Sequence, residues 1–189
     1  MEVEQEEVAF RNDTKNTYAI LGNGCAGVSA AEAIRERDKT GRILLISNEG
    51  PTYQRPMLTK AMLSGLTPEQ IELHPAGWYE ARGIVQILDR QITSVDTEKK
   101  EIVLDGDFKL PYTKLIFALG SESFIPPIPG HEKEGVVAIR RISDVAKVQA
   151  MGNALKNAVV IGGGVLGLEA AWELRKAKCE VTVLELAPQ

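Results

Sequence analysis

The sequence predicts an α/β fold built on a parallel sheet, and three observations carry that reading. Residues 17–47 run as a short apolar β segment, a glycine loop, an Ala-rich helical stretch and a second apolar β segment. The same order recurs at 158–185. Between the two copies lie short β runs separated by turn residues, the pattern of a small antiparallel meander.

Each element follows from its residues. Residues 1–16 carry Glu2, Glu4, Glu6 and Glu7 with little apolar content and read as an acidic tail. Residues 17–21, TYAIL, form the first strand, and the helix formers of 28–37 follow the glycine loop until Gly41 stops them. Residues 42–47, RILLIS, are apolar without alternation, as a strand buried on both faces requires. The stretch 51–83, with its Pro, Met and aromatic residues, suits a ligand-facing excursion and contains a short helix at 58–64. Short β runs at 85–88, 92–95 and 101–104 lead to another core strand at 115–118. The Pro-rich 126–130 is a stiff boundary. Then 158–161 and 181–184 flank the second helical run. The expected organisation is a tail at 1–16, a first domain at 17–125, a linker at 126–156 and part of a second domain at 157–189.

Composition removes several classes of function. The 189 residues are 44% apolar and 25% charged with a formal net charge of −4, so nothing in the electrostatics calls for nucleic acid or an anionic membrane. No apolar run reaches membrane-spanning length, and the acidic start is unlike a signal peptide, so a cytoplasmic location is expected. The two cysteines, Cys25 and Cys179, form no CxxC pair, which argues against a zinc site or a redox dithiol. His74 and His131 sit in Pro/Gly-containing loops with no metal-ligand pattern around them. Any electron chemistry therefore needs a bound cofactor.

The glycine loops supply the place for one. Gly22, Gly24 and Gly27 form GxGxxG, and Gly162, Gly164 and Gly167 form it again. In such a loop one glycine permits the tight turn, one lets the backbone approach a pyrophosphate, and one allows the helix to pack closely on the strand. The helix N-terminus then offers N–H groups and a positive dipole end to the phosphates. A lone motif of this kind is also what a simple strand-to-helix turn looks like. Here both copies follow β runs, both open helices, and both are followed by a carboxylate after the next strand, Glu49 and Glu185. Such a carboxylate can accept the ribose hydroxyls of an adenosine, and Glu185 opposes the 2′-phosphate of NADP. Two Rossmann-like units, the second of them only begun, are the expected architecture. Cys25 and Ala26 occupy the variable positions of the first loop; for Cys25 a small side chain that fits competes with a thiol beside a bound dinucleotide.

The segments YAILGNGCAGVSAAEAIR, ILLISNE, YQRPMLTK, WYEARGI, YTKLIFALGS, IPPIPG and VVIGGGVLGLEAAWEL span the chain from residue 17 onward. In that order they resemble the FAD-dependent pyridine nucleotide-disulfide oxidoreductases, in the branch of rubredoxin and ferredoxin reductases and the flavin module of nitrite reductases. The resemblance implies FAD on the first unit and NADH on the second. It also implies hydride transfer from NADH to FAD, then electrons to a rubredoxin- or ferredoxin-type protein or an attached redox domain. It places Arg55 near the flavin nucleotide, Lys60 near the isoalloxazine, and Glu169 as the acid paired with that lysine. A solvated surface lysine and a first-turn carboxylate held by the helix dipole are the alternative readings of these last two. Gly120 belongs to the family's Ala-Thr-Gly, which here reads Ala118-Leu119-Gly120 and lacks the hydroxyl. Residues 49–66 hold no cysteine, which disfavours a dithiol mechanism. Trp78 and Tyr79 read as core aromatics rather than cofactor contacts. The chain is expected to stop inside its second nucleotide unit, so a non-catalytic dinucleotide-binding fragment is the competing reading.

Overall fold

The structure is a computed structural model that describes residues 16–188; the acidic tail expected at 1–16 lies almost wholly outside them. The chain divides into two compact units, one formed by Met1–Tyr53 with Glu72–Ser121 and the other by Gln54–Ile71 with Glu122–Gln189.

The first unit is a three-layer sandwich. Strands β1 (Thr17–Leu21), β2 (Arg42–Ile46), β3 (Ile84–Ile87) and β7 (Lys114–Phe117) make a parallel sheet in the order β3-β2-β1-β7. Successive side chains of a strand point to opposite faces, and both faces of the central strands β1 and β2 are covered. Ile20, Ile43, Leu45 and Ile84 face helix α1 (Cys25–Arg37), where they bury Val28 and Ala31. Ala19, Leu21, Leu44, Ile46 and Ile87 face the other way, onto Ile102, Leu104 and Leu110 of an antiparallel meander. That meander is β4 (Ile92–Asp96), β5 (Glu101–Leu104) and β6 (Phe108–Pro111). The parallel register sets Ala19 beside Leu44 and Ile20 beside Leu45, so each face receives one unbroken apolar stripe. Each Ile or Leu sealed this way contributes about 1.5–3 kcal/mol.

Two elements of this unit differ from the sequence reading. The run near residue 85 joins the parallel sheet beside β2 instead of the meander. The meander gains β6, whose FKLP residues are too few to signal a strand. Trp78 and Tyr79 pack as expected: Tyr79 is buried in the α1-side core, and Trp78 lies between the stacked His74 ring and the Arg82 guanidinium, 3.6 Å and 4.0 Å away.

The second unit holds helix α2 (Leu58–Ser64), helix α3 (Ile142–Met151), and β8 (Asn157–Ile161) and β9 (Glu180–Leu184) paired in parallel. Helix α4 (Val165–Lys176) connects these two strands. Leu58, Ala61, Met62 and Ile71 are buried, and α2 packs on both α3 and α4. The stretch 126–156, expected as a linker, thus contributes a helix. Asp144 starts it by accepting the backbone N–H groups of Arg140 and Arg141 at 3.1 and 2.9 Å. Among the described residues no helix is long and apolar enough to cross a membrane.

Candidate functional site

The first glycine loop is shaped by backbone contacts that exclude side chains. Gly22 has φ +109°, donates its N–H to the Ile46 carbonyl at 2.7 Å, and would put a Cβ 2.2 Å from the Ala118 carbonyl oxygen. At Gly27 a Cβ would lie 1.9 Å from the Gly22 carbonyl oxygen. Gly24 is different: a Cβ there would meet nothing within 4 Å. Two glycines therefore serve internal packing, and the third keeps a space open at the start of α1. No side chain caps that helix start, and its first turn carries no acidic residue. An uncapped N-terminus beside open space has the donors and dipole an anion needs.

The second loop repeats most of this geometry, except that a Cβ at Gly162 would meet nothing within 4 Å. Gly162 has φ +109° and bonds the Leu184 carbonyl at 2.8 Å; a Cβ at Gly167 would lie 1.9 Å from the Gly162 carbonyl oxygen; Gly164 faces open space. Helix α4 likewise starts without a side-chain cap or an acid in its first turn. The residues at both loops thus fit a dinucleotide pyrophosphate. Gly120 also has a positive φ, +71°, just beyond β7.

The two carboxylates after the second strands sit in different surroundings. Glu49 accepts a short hydrogen bond from the Tyr53 hydroxyl. Glu185 accepts the backbone N–H groups of Gly163 and Ala187 at 2.6 and 2.8 Å. These bonds, that from Ala187 foremost and that from Gly163 next, hold its carboxyl below the usual range. Sequence reasoning missed Asn23, a buried residue whose Nδ2 donates to the Gly50 carbonyl at 2.7 Å and ties the loop to the turn after β2. Its position in GxGxxG is variable, so spacing gives no signal for it. Cys25 and Ala26 are exposed on the first turn of α1.

Three further residues expected at the site lie in the second unit. The Arg55 guanidinium donates to the Arg140 carbonyl at 2.7 Å. Lys60 Nζ is 3.7 Å from Glu169 Oε1, so the structure brings together the pair implied by the resemblance. The other oxygen of Glu169 accepts the Thr59 hydroxyl at 2.6 Å. Among the described residues no cluster of His, Cys, Asp or Glu could hold a metal ion.

Known proteins resemble this chain in sequence and fold. The chain is 39% identical over 176 residues to a nitrite reductase [NAD(P)H] of Bacillus subtilis (strain 168), covering 92% of this chain and 22% of that protein. It is 37% identical over 172 residues to a rubredoxin-NAD(+) reductase of Pseudomonas putida, covering 90% of this chain and 45% of the relative. The crystal structure of the ferredoxin reductase for the CYP199A2 system from Rhodopseudomonas palustris superposes with a TM-score of 0.85 at 32% identity, over 92% of this chain and 43% of that one. The chain thus spans less than half the length of each. The model of the pyridine nucleotide-disulphide oxidoreductases matches residues 16–189, and the chain belongs to that family.

Proposed function

We propose that this chain carries the FAD-binding loop and the opening of the NADH-binding unit of a flavin-dependent NADH oxidoreductase. The observation that supports it best is the duplicated loop: two helix N-termini without caps, each beside a glycine facing open space and a glycine whose Cβ would press into a backbone carbonyl. The proposed domains are a FAD-binding part at 17–125, a connection at 126–156 and an NADH-binding part from 157.

In this reading the backbone N–H groups at Gly24, Cys25, Ala26 and Gly27 hold the FAD pyrophosphate, and Glu49 accepts from its adenosine ribose. Gly120 lets the backbone turn where β7 ends. Arg55 and Lys60 serve the flavin as cations, with Glu169 as the partner of Lys60. Gly162, Gly164 and Gly167 hold the NADH pyrophosphate. Glu185 exchanges its backbone partners for ribose hydroxyls and repels a 2′-phosphate. Bound FAD supplies the two-electron acceptor that no side chain of this chain provides. The proposed partner is a small redox protein of the rubredoxin or ferredoxin type, or an attached redox module. A cytoplasmic location is part of this proposal.

The test is optical. Protein incubated with FAD and freed of excess should keep a flavin absorption band that NADH bleaches anaerobically, with NADPH much less effective. Retained flavin that NADH leaves unchanged would remove the reductase reading. Protein that keeps no flavin would favour the second reading, a dinucleotide-fold segment without activity. That reading draws support from Val159, Ile161 and Leu184, apolar residues of β8 and β9 that are exposed.

A further inference from the structure

We infer that Thr59 is a positioning residue: its hydroxyl holds Glu169 so that the Lys60 ammonium remains available to an electronegative atom of a bound ligand. The inference rests on the proposed function for what that ligand is, and on the structure for the geometry. Glu169 stands in α4, two residues after Gly167, and both of its partners come from α2. The two contacts are unequal. The Thr59 hydroxyl reaches Oε2 at 2.6 Å, the length of a charge-assisted O–H···O⁻ bond. Lys60 Nζ stands 3.7 Å from Oε1, beyond hydrogen-bonding distance.

Exposure sharpens the contrast. Thr59 is 8% exposed, so its hydroxyl meets little competition from water, and breaking its bond would leave a buried donor unsatisfied. The Lys60 side chain is 49% exposed, and an ion pair that open to solvent is weak. The rotamer of Glu169 is therefore set by Thr59. A carboxylate fixed at that distance keeps Lys60 nearby without consuming its donors. Were Glu169 released, nothing in this contact set would stop it from closing on the ammonium. Adjacent residues of a short helix thus divide the work, Thr59 holding the acid and Lys60 presenting the charge.

The test reads the amine itself. Flavin-free chain is acylated with N-hydroxysuccinimidyl acetate, and modification of Lys60 is followed by peptide mass spectrometry. Thr59→Val removes the hydroxyl at nearly constant shape, so Glu169 closes on Lys60 and acylation slows about threefold. Thr59→Ser keeps the wild-type rate, and Thr59→Val combined with Glu169→Gln returns to it. A plain staple between the two helices predicts the reverse: loosening α2 leaves Lys60 acylation unchanged or faster, and that result in folded Thr59→Val overturns the inference. Should Thr59→Val not fold, Glu169→Gln alone decides. A rise below about twofold agrees with a carboxylate engaged elsewhere, and any larger rise shows Lys60 already held and overturns it. Because no flavin is present, failure here is separate from failure of flavin uptake or of bleaching by NADH.

Discussion

Gly24 and Gly27 stand three residues apart and respond to the same substitution for opposite reasons. A methyl group at Gly27 would sit 1.9 Å from a carbonyl oxygen, so strand and helix must separate to admit it. Gly27→Ala is expected to cost about 3 kcal/mol in urea unfolding, an overpacking penalty against backbone that cannot yield. At Gly24 the methyl enters open space at an ordinary φ of −71°, and Gly24→Ala should cost under about 1 kcal/mol, the loss of a tolerated N-cap glycine. The same Gly24→Ala should nevertheless weaken FAD binding, because the space it fills is the proposed phosphate cradle. Isothermal titration beside urea unfolding separates the two effects; equal damage to stability from both variants would contradict this division of labour. At this scale the glycines were legible in the sequence because their spacing is a local pattern, although what excludes a side chain at Gly22 is the distant Ala118 carbonyl. Asn23 and Thr59 were not, since what marks them is a partner 27 or 110 residues away.

Helix α1 ends in a cluster that makes the element sensitive to acid. Asp38 accepts the backbone N–H groups of Gly41 and Thr40 at 2.7 and 3.0 Å and the Tyr18 hydroxyl at 3.0 Å. These bonds, that from Gly41 foremost, hold its carboxyl down to about 2 from an ordinary 3.8. A folded-state value below the unfolded one means the carboxylate stabilises the fold above pH 3.8 and loses that contribution as pH falls toward 2. Wild type should therefore lose thermal stability across that window, and Asp38→Asn should show a shallower loss there; parallel curves would place the acid response elsewhere. Arg35 closes the same helix end, donating to the carbonyls of Arg82, Gly83 and Asp38 at 2.7, 2.9 and 3.1 Å. Three bonds in a fixed fork are beyond a lysine, so Arg35→Lys should lower stability by about 1 kcal/mol. The strands flanking α1 were readable because a parallel strand buried on both faces is an uninterrupted apolar run. The partner of β3 was not, because the four residues IVQI fit a meander edge and a parallel sheet equally well. Helix α3 escaped notice because the prolines and glycines before it signal a connection.

Across the whole molecule the two units differ in how completely their sheets are sealed. The first covers its central strands between a helix and a meander, so the aliphatic residues of β1 and β2 are inaccessible to solvent, and leaves its edge strand β7 open at Phe117, 60% exposed. The second leaves Ile161 of its two-stranded sheet 62% exposed and Trp172 of α4 65% exposed. Backbone hydrogen bonds sealed under packed side chains open only with the unit, whereas those beneath an uncovered face open locally. Amide hydrogen exchange should therefore be slowest in β1 and β2 and markedly faster in β8 and β9, although the residue-by-residue parallel pairing of β8 with β9 is as regular as that of β1 with β2. Uniform protection across all four strands would mean that the exposed face is covered in solution. FAD should slow exchange at residues 24–28, where α1 begins, without altering 157–161; NADH should do the opposite, slowing 164–168. If one nucleotide protected both loops alike, the assignment of FAD to the first and NADH to the second would fail even though both glycine motifs bind.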